Sequence, residues 1–223
     1  MKRVIDVVAG TILVVVTLPL VLALAGASAV VLRAWPFFLH ERVGYRGRRF
    51  RVPKIRTLPP TVSATVNKYH VAKLDLPRFA RFLRRSHLDE LPQLLLVPIG
   101  RMSLVGPRPE MPRLHDDGDP RFASMRVLKR PGCTGLWQIG RDANRLIWEA
   151  PEYDLFYVNH ASVRLDLWIL WRTALQFAAA AEPAALHQVP AWAMRKDVQS
   201  QDAVWLDSVG SEEGAISLNT RSA

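Results

Sequence analysis

Two adjacent carboxylates, Asp89 and Glu90, are the residues of this 223-residue chain whose types and spacing best suit chemistry. They follow Ser86 in a pattern that resembles a capping box, so we expect both in the first turn of a helix. Acidic side chains there can simply compensate the helix dipole. One carboxylate can instead attack phosphorus to form an acyl phosphate, while its neighbour holds Mg²⁺ together with substrate phosphate oxygens. The local sequence leaves both interpretations open.

Basic residues lie near this pair in the sequence and indicate an anionic partner. The formal net charge is +10, which suits nucleic acid, lipid headgroups or phosphorylated small molecules. A guanidinium fork matches two phosphate oxygens at once. The same residues could form a solvated face, a structural ion pair or a lipid-binding rim. Arg84 and Arg85 lie just upstream of the pair, Arg101, Arg108 and Arg141 follow it, and Lys54 belongs to a basic hairpin earlier in the chain.

Composition predicts one domain with a substantial core, since 49% of the residues are hydrophobic. Cys133 is the single cysteine, which excludes an intramolecular disulfide and any zinc site built from several cysteines. The six histidines show no metal-ligand spacing. A metal site would therefore use oxygen ligands.

The N-terminal segment predicts membrane association, because no charged residue occurs from Val7 to Leu32. A signal peptide is the less favoured alternative, since the apolar part is too long. Basic residues on both flanks favour the cytoplasm for each end. Pro19 removes a helical hydrogen bond, and Thr17 is available to satisfy the freed backbone. We expect a bent, re-entrant helix; a straight span with its N-terminus outside is the competitor.

The rest of the chain predicts an α+β fold that is mostly helical, with a small β-hairpin and interfacial helices. The hairpin is expected between Phe37 and Thr57 around Gly44–Gly47, followed by a surface loop to Lys73. A short helix precedes Asp89, and a second Gly-Pro turn covers Pro131–Gly135. Helical patterning runs from Tyr153 to about Ala180, and its aromatic face suits the core or the membrane interface equally.

Three ordered blocks give the chain a specific resemblance. They are Phe82–Gln93 with its Asp89-Glu90 pair, Met102–Glu110 and Pro131–Gly135, supported by Lys2-Arg3 with Asp6, by Glu41–Gly44 and by Lys54–Thr57. The chain resembles the bacterial sugar transferase family, the monotopic phosphoglycosyl transferases, over roughly residues 1–175. Several long blocks in order are more specific than any single motif.

The resemblance implies transfer of a sugar 1-phosphate from a UDP-sugar to undecaprenyl (polyprenol) phosphate, with release of UMP. This reaction would begin the synthesis of an exopolysaccharide, capsule, O-antigen or glycoprotein glycan at the cytoplasmic face of the bacterial inner membrane. Asp89 would form a covalent phosphosugar intermediate, and Glu90, with Asp89, would bind Mg²⁺. Cations that would bind the substrate are Lys54, Arg84, Arg108 and Arg141.

The same resemblance implies three segments and several partners. Residues 1–33 would form the re-entrant membrane helix, 34–180 the catalytic domain, and 181–223 a C-terminal extension with a disordered end. The expected partners are the UDP-sugar, undecaprenyl phosphate, membrane lipids and other polysaccharide-assembly enzymes, and not nucleic acid.

Two departures from the family pattern leave an alternative open. Leu96 stands where the family usually has Asn, and Arg101 replaces an Asp, adding a cation beside the expected site. The alternative is a catalytically impaired homologue that acts as a membrane scaffold in polysaccharide assembly. A basic nucleic-acid-binding protein is a third class, which the apolar N-terminus disfavours.

Overall fold

A computed structural model describes residues 1–62, 74–178 and 181–195. Its first element is helix α1, Lys2–Leu32, which continues through Pro19 and ends where Arg33 adopts a left-handed conformation. The helix is long and apolar enough to cross a membrane by length and composition. Its 31 residues correspond to about 46 Å of α-helix. The prediction of one N-terminal apolar helix is confirmed.

Both ends of α1 are attached to the rest of the chain. At the N-terminal end, Asp6 accepts hydrogen bonds from the Ser103 hydroxyl at 2.8 Å and from the Leu104 backbone N–H at 3.0 Å. At the C-terminal end, the Ser28 hydroxyl donates to the Arg56 carbonyl. The side chains between these anchors, at positions 11–20, are exposed or half-buried. The apolar middle of α1 is therefore the part that is left without a protein partner.

Pro19 does not receive the predicted help from Thr17. The Thr17 hydroxyl donates to the Leu13 carbonyl at 2.7 Å, not to Val15, the residue four positions before the proline. This expectation was wrong because a threonine in a helix readily bonds the carbonyl four residues before itself. Such bonds favour helix bending.

The predicted hairpin is confirmed by strands β1, Phe37–Val43, and β2, Arg49–Ile55. The strands pair antiparallel from Phe37 opposite Ile55 to Val43 opposite Arg49. Because opposite residues in such a pair share a face, His40, Arg42, Val52 and Lys54 lie on one side of the hairpin. That side faces the residues Asp89–Gln93.

The middle of the chain carries short elements that position the site. Helix α2, Arg78–Arg85, is followed by a nine-residue 3₁₀-helix, Leu88–Leu96. Strands β3, Ser103–Val105, and β4, Gly132–Thr134, pair in parallel. Helices α3, Pro112–Asp116, and α4, Pro120–Arg126, lie between these strands in sequence.

The two parallel strands approach so closely that glycine is required at their junction. A Cβ atom on Gly106 would lie 2.2 Å from the Arg130 carbonyl oxygen, and one on Gly132 would lie 2.1 Å from the Gly106 nitrogen. The prediction of a second turn at Pro131–Gly135 was therefore wrong, since Gly132 belongs to strand β4. The close approach places Arg108 and Cys133 beside the same concavity.

The C-terminal half supplies most of the core. Helices α5, Leu136–Ile139, α6, Glu152–His160, and α7, Val163–Phe177, pack with segment 181–195, where Ala184 and Val189 are buried. Tyr157 donates its hydroxyl proton within this core, where the Val105 carbonyl lies at 3.0 Å and the Asp166 carboxylate at 2.7 Å. The described part of the fold is thus mostly helical with a small hairpin, as predicted, and the parallel pair of β3 and β4 was not predicted.

Two further helix predictions need correction. The capping box at Ser86 was wrong: its hydroxyl donates back to the carbonyls of Phe82 and Leu83, closing α2. The single helix from Tyr153 is interrupted because Ser162 caps a new one, accepting from the Leu165 N–H at 3.1 Å.

The aromatic face of α7 is divided between core and surface. Trp168 is buried, whereas Trp171 is 55% exposed. The predicted aromatic face therefore contributes Trp168 to the core, while Trp171 lies on the surface. The predicted loop within 63–73 and the tail beyond 195 lie outside the described residues.

The packing of α1 predicts opposite effects at two glycines. A Cβ on Gly10 would lie 2.7 Å from Cγ1 of the fully buried Val97, whereas nothing lies within 4 Å of one on Gly26. We expect Gly10→Ala to lower the free energy of unfolding by about 1–3 kcal/mol through overpacking. Gly26→Ala, the matched control, should leave it unchanged or raise it by up to about 1 kcal/mol. Thermal unfolding in detergent measures both; equal effects would contradict the packing of α1 on Val97.

Candidate active site

The 3₁₀-helix decides how Asp89 and Glu90 are presented. Both fall in its first turn, as predicted, after His87 in a left-handed conformation with φ 54°. With three residues per turn, neighbouring side chains point about 120° apart, and residues three apart share a face. Glu90 therefore shares a face with Gln93, and Asp89 points elsewhere. Adjacent carboxylates thereby enter different surroundings.

Glu90 is held by two cations from different parts of the chain. The Lys54 ammonium donates to its Oε1 at 2.7 Å, and Arg108 Nη2 lies 3.7 Å from the same oxygen. Burial alone would raise the pKa of Glu90, but Lys54, Arg108 and a hydrogen bond from Gln93 lower it well below its usual range. Glu90 is therefore ionised throughout the neutral range.

The pKa of Asp89 is shifted in the opposite direction from that of Glu90. Its side chain is buried, and burial together with the negative charge of Glu90 raises its pKa above the ordinary value. The positive charges of Lys54 and Arg84 act in the other direction without overcoming this effect. The carboxylate pair thus combines one firmly ionised group with one whose ionisation is opposed. Such divergence is typical of sites where neighbouring acids have separate roles.

The hairpin brings further polar groups to the site that the sequence interpretation missed. Arg42 is buried, lies 3.6 Å from Glu110, and donates to His40 Nδ1 at 3.2 Å. Burial and the charge of Arg108 lower the pKa of Arg42 to about 10. Burial and the charge of Arg42 lower the pKa of His40 to about 3, so its ring is neutral. The strand alternation that includes Lys54 was the signal that could have identified Arg42, once the register was known.

Glu90 and the cations around it line a small open concavity, whereas Asp89, on another face of the 3₁₀-helix, is not among its lining residues. One wall comes from the hairpin, one from the 3₁₀-helix, and one from the segment around β4. Its lining consists of Arg42, Val52, Lys54, Glu90, Gln93, Arg108, Pro109, Gly132, Cys133 and Gln138. Among the described residues, three cations and one carboxylate line it. The surface therefore suits an anionic ligand, because the cations outnumber the single carboxylate, Glu90.

The predicted cations are only partly brought together. Lys54 and Arg108 contact Glu90, and Arg108 also lies over the Trp137 ring at 5.3 Å. Arg84 donates to the Thr57 hydroxyl at 3.2 Å and acts on the ionisation of Asp89. Arg141 is exposed, its backbone N–H donates to the Ala184 carbonyl, and its side chain does not line the concavity.

Arg101 does not lie where the comparison with the family pattern suggested, and Leu96 belongs to the core. Leu96 is buried in the core at the far end of the 3₁₀-helix from Asp89. Arg101 is exposed, and it follows Gly100, which faces Arg3 of α1. It does not line the concavity. The expectation of an extra cation beside the carboxylate pair was therefore wrong.

The sequence as a whole matches known proteins. A profile described as "Bacterial sugar transferase" matches residues 1–180. The chain belongs to the bacterial sugar transferase family. The resemblance drawn from the signature blocks is thereby confirmed, and the match includes α1, the hairpin and the carboxylate pair.

This family member is similar to several named proteins, and the names of two of them state a transfer reaction. It is 36% identical over 197 residues, 78% of the chain, to the "UDP-galactose-lipid carrier transferase" of Erwinia amylovora, covering 39% of that protein. It is 36% identical over 187 residues, 77% of the chain, to the "UDP-glucose:undecaprenyl-phosphate glucose-1-phosphate transferase" of Caulobacter vibrioides, covering 67% of it. It is 31% identical over 191 residues, 77% of the chain, to the "Exopolysaccharide production protein ExoY" of Sinorhizobium fredii, covering 83% of it.

The length of these relatives varies. The chain spans about two fifths of the Erwinia protein and most of the Sinorhizobium protein. The chain therefore spans less than half the length of several of the relatives it matches.

The donor set of this family member suits a metal that needs few protein ligands. Among the described residues, no group of three or more His, Cys, Asp or Glu side chains is placed to hold a metal ion. Glu90 lines the concavity, and Asp89, its neighbour in the chain, lies on another face of the 3₁₀-helix. A donor set of one or two carboxylates fits Mg²⁺, since this ion is commonly bound by that number of carboxylates plus substrate phosphates and water. A site for zinc or calcium would require more protein ligands.

The electrostatic difference between the two carboxylates predicts opposite stability effects. Glu90→Gln should lower the free energy of unfolding at pH 7 by about 1–3 kcal/mol, because Lys54 and Arg108 lose their ionised partner. Asp89→Asn should be neutral or stabilising at pH 7, because a raised pKa means that ionisation of Asp89 opposes folding.

The pH dependence follows from the same sign. Below the unfolded pKa, Asp89 is protonated in both states, so Asp89→Asn should gain nothing there, and its advantage should grow as pH rises through the folded pKa. Thermal unfolding of both variants between pH 4 and 8 checks this. A destabilised Asp89→Asn variant at neutral pH, or a stabilised Glu90→Gln variant, would contradict the assignment.

Proposed function

We propose that this protein transfers a sugar 1-phosphate from a UDP-sugar to undecaprenyl phosphate and releases UMP. The observation that carries the proposal is the carboxylate pair, whose members have opposite electrostatic environments beside Lys54, Arg84 and Arg108. The names of the relatives support the same substrates. The reaction would begin the synthesis of a bacterial surface glycan such as an exopolysaccharide.

Asp89 is the proposed nucleophile because Glu90 is already engaged. An oxygen of ionised Asp89 attacks the β-phosphorus of the UDP-sugar, and the bond from that phosphorus to the bridging oxygen breaks, releasing UMP. A phosphate oxygen of undecaprenyl phosphate then attacks the same phosphorus and displaces Asp89. The raised pKa of Asp89 makes its ionised form a more basic nucleophile, while Lys54 and Arg84 support that ionised form.

The cations of the concavity suit the diphosphate. Arg108 and Arg42 line the same surface as Lys54, and a guanidinium can bind two phosphate oxygens at once. Glu90, with Asp89, would hold Mg²⁺, which when bound would offset the charge of the diphosphate. Arg141 retains a proposed role in substrate binding only if its exposed side chain turns towards the bound donor.

The attachment of α1 supports a re-entrant membrane helix. Asp6 and Ser28 bond the same folded unit from opposite ends of the helix. A helix of about 46 Å that crossed a bilayer of about 30 Å would place its two ends on opposite sides of the membrane. Bonds from both ends to one folded unit instead support a helix that bends and leaves the leaflet by which it entered. The exposed apolar middle around Val15 and Val16 would then enter the cytoplasmic leaflet.

The surroundings of the site support an acceptor carried by the membrane. Phe82 lies on α2, which precedes Asp89, and Leu95 lies on the 3₁₀-helix that carries Asp89; both are exposed apolar side chains. Both elements contact α1. They are suited to the bilayer interface, where the phosphate of undecaprenyl phosphate lies, which would place the acceptor close to Asp89.

The scaffold alternative has less support from the structure than from the sequence. It depended on Leu96 and Arg101, but Leu96 belongs to the core, and Arg101 is exposed and is not among the charges that most shift the pKa of Asp89 or Glu90. The arrangement of Lys54, Asp89, Glu90 and Arg108 favours a working transferase. A scaffold would have no need for such a charge arrangement.

UMP release tests the proposed reaction directly. With undecaprenyl phosphate, Mg²⁺ and a panel of UDP-sugars in detergent, the wild type should release UMP and form a lipid-linked sugar diphosphate. Asp89→Asn should lower the rate by at least about 10³-fold because the nucleophile is lost. Arg49→Lys, at an exposed ion pair with Asp116, is the matched control and should retain the rate. Equal rates for wild type and Asp89→Asn would rule out the proposed nucleophile.

Thiol labelling tests the membrane topology. In a Cys133→Ser background, a cysteine inserted after Met1 and the exposed substitution Trp35→Cys should both react only from the cytoplasmic side. Val16→Cys should react from neither side, because its side chain would lie among lipid tails. Labelling of the inserted N-terminal cysteine from outside intact cells would instead support a straight span.

A further inference from the structure

A buried ion pair lies behind the proposed site and is not explained by the reaction itself. Arg126 at the end of α4 donates from Nε to Asp154 Oδ2 at 2.7 Å. The two side chains are only 4% and 1% exposed. Removing two charges from water is costly, and a buried pair is weak support for stability in itself. A second role for this pair is therefore worth seeking.

The same guanidinium makes a second bond that leads to the site. Arg126 Nη2 donates to the backbone carbonyl of Arg108 at 2.6 Å. The guanidinium also lies near the rings of Phe122 and Trp148, at 5.2 and 5.9 Å from their centroids. Asp154 and the rings thus fix the plane of the fork that contacts Arg108.

The backbone on the other side of Arg108 is also fixed. Two residues later, the Glu110 carbonyl accepts from the Val43 N–H at 2.8 Å, joining this segment to β1. Pro109, between them, restricts the backbone further. The direction in which the Arg108 side chain leaves the chain is therefore set by bonds at both ends of a three-residue segment. That side chain crosses the Trp137 ring and reaches Glu90 at 3.7 Å.

We propose that Arg126, oriented by Asp154, is a positioning residue that holds Arg108 for binding the diphosphate of the UDP-sugar. This inference rests on the proposed function for the identity of the ligand. Arg126 has no contact with the concavity that Glu90 lines, so it acts through Arg108. An arginine is needed because its fork donates to Asp154 and to the Arg108 carbonyl from one rigid plane, whereas an ammonium cannot reproduce that geometry.

A double-mutant cycle on ligand affinity tests the proposal. The dissociation constant for UDP is measured by calorimetry on the full-length protein in detergent, for wild type, Arg126→Lys, Arg108→Ala and the double variant. Arg126→Lys should weaken binding by about tenfold with Arg108 present, because the guanidinium of Arg108 loses its orientation. In the Arg108→Ala background the same change should cost less than about twofold.

A purely structural role for Arg126 gives a different result. Its loss would then either leave UDP affinity unchanged or weaken it equally in both backgrounds, and either outcome overturns the proposal. Asp154→Asn enters the cycle in place of Arg126→Lys if the latter fails to fold; additive losses overturn the proposal there as well. Arg49→Lys is the matched control for an arginine in an ion pair and should change neither affinity nor thermal stability.

Inorganic pyrophosphate as a second ligand separates this proposal from the proposed function. Arg108 should respond to either anion, so the same non-additivity is expected with pyrophosphate. A non-additive cycle in a protein that releases no UMP contradicts the transfer reaction and leaves the positioning role supported. An additive cycle in an active enzyme does the reverse. Failure of the wild type to bind either anion overturns both.

Discussion

The ion pair between Lys54 and Glu90 is the contact on which the arrangement of the site depends. It joins the hairpin to the 3₁₀-helix at 2.7 Å, in a partly buried position. By neutralising Glu90, this pair reduces the repulsion between the two carboxylates. Within the described residues, Asp89 has no ion pair of its own. The same bond therefore holds the hairpin against the 3₁₀-helix and makes the two carboxylates electrostatically different.

The membrane segment is integrated with this site through polar contacts. Lys2 bonds the Asp166 carboxylate and the Val105 carbonyl, and Asp6 bonds Ser103 and Leu104 of the same strand. Strand β3 leads directly into the segment that carries Arg108. The first residues of a helix that the membrane would hold are thus connected, within a few residues, to a cation of the site. The apolar middle of α1 is exposed and would be available to lipid.

Local patterns in the sequence identified elements whose signals are short-ranged. The charge-free run to Leu32, the Gly44–Gly47 turn and the Arg78–Arg85 helix all follow from neighbouring residues, and all three are present. One predicted helix boundary was wrong, at a side chain that could have capped either of two consecutive helices. Ser86 closes α2 and does not begin the next helix, because the last carbonyls of α2 lie within reach of its hydroxyl.

The sequence by itself determined the family and the identity of the carboxylate pair, because these depend on residue types in a fixed order. It also supplied Lys54, Arg84 and Arg108 as cations. Only the tertiary structure decided which cations lie beside which carboxylate. The 3₁₀ geometry turns Asp89 and Glu90 apart, and the hairpin register adds Arg42 and His40. It also separated Arg101 from the site and linked Arg126 to Arg108. Charge interactions depend on distance and burial, and residues far apart in the chain acquire both only when it folds.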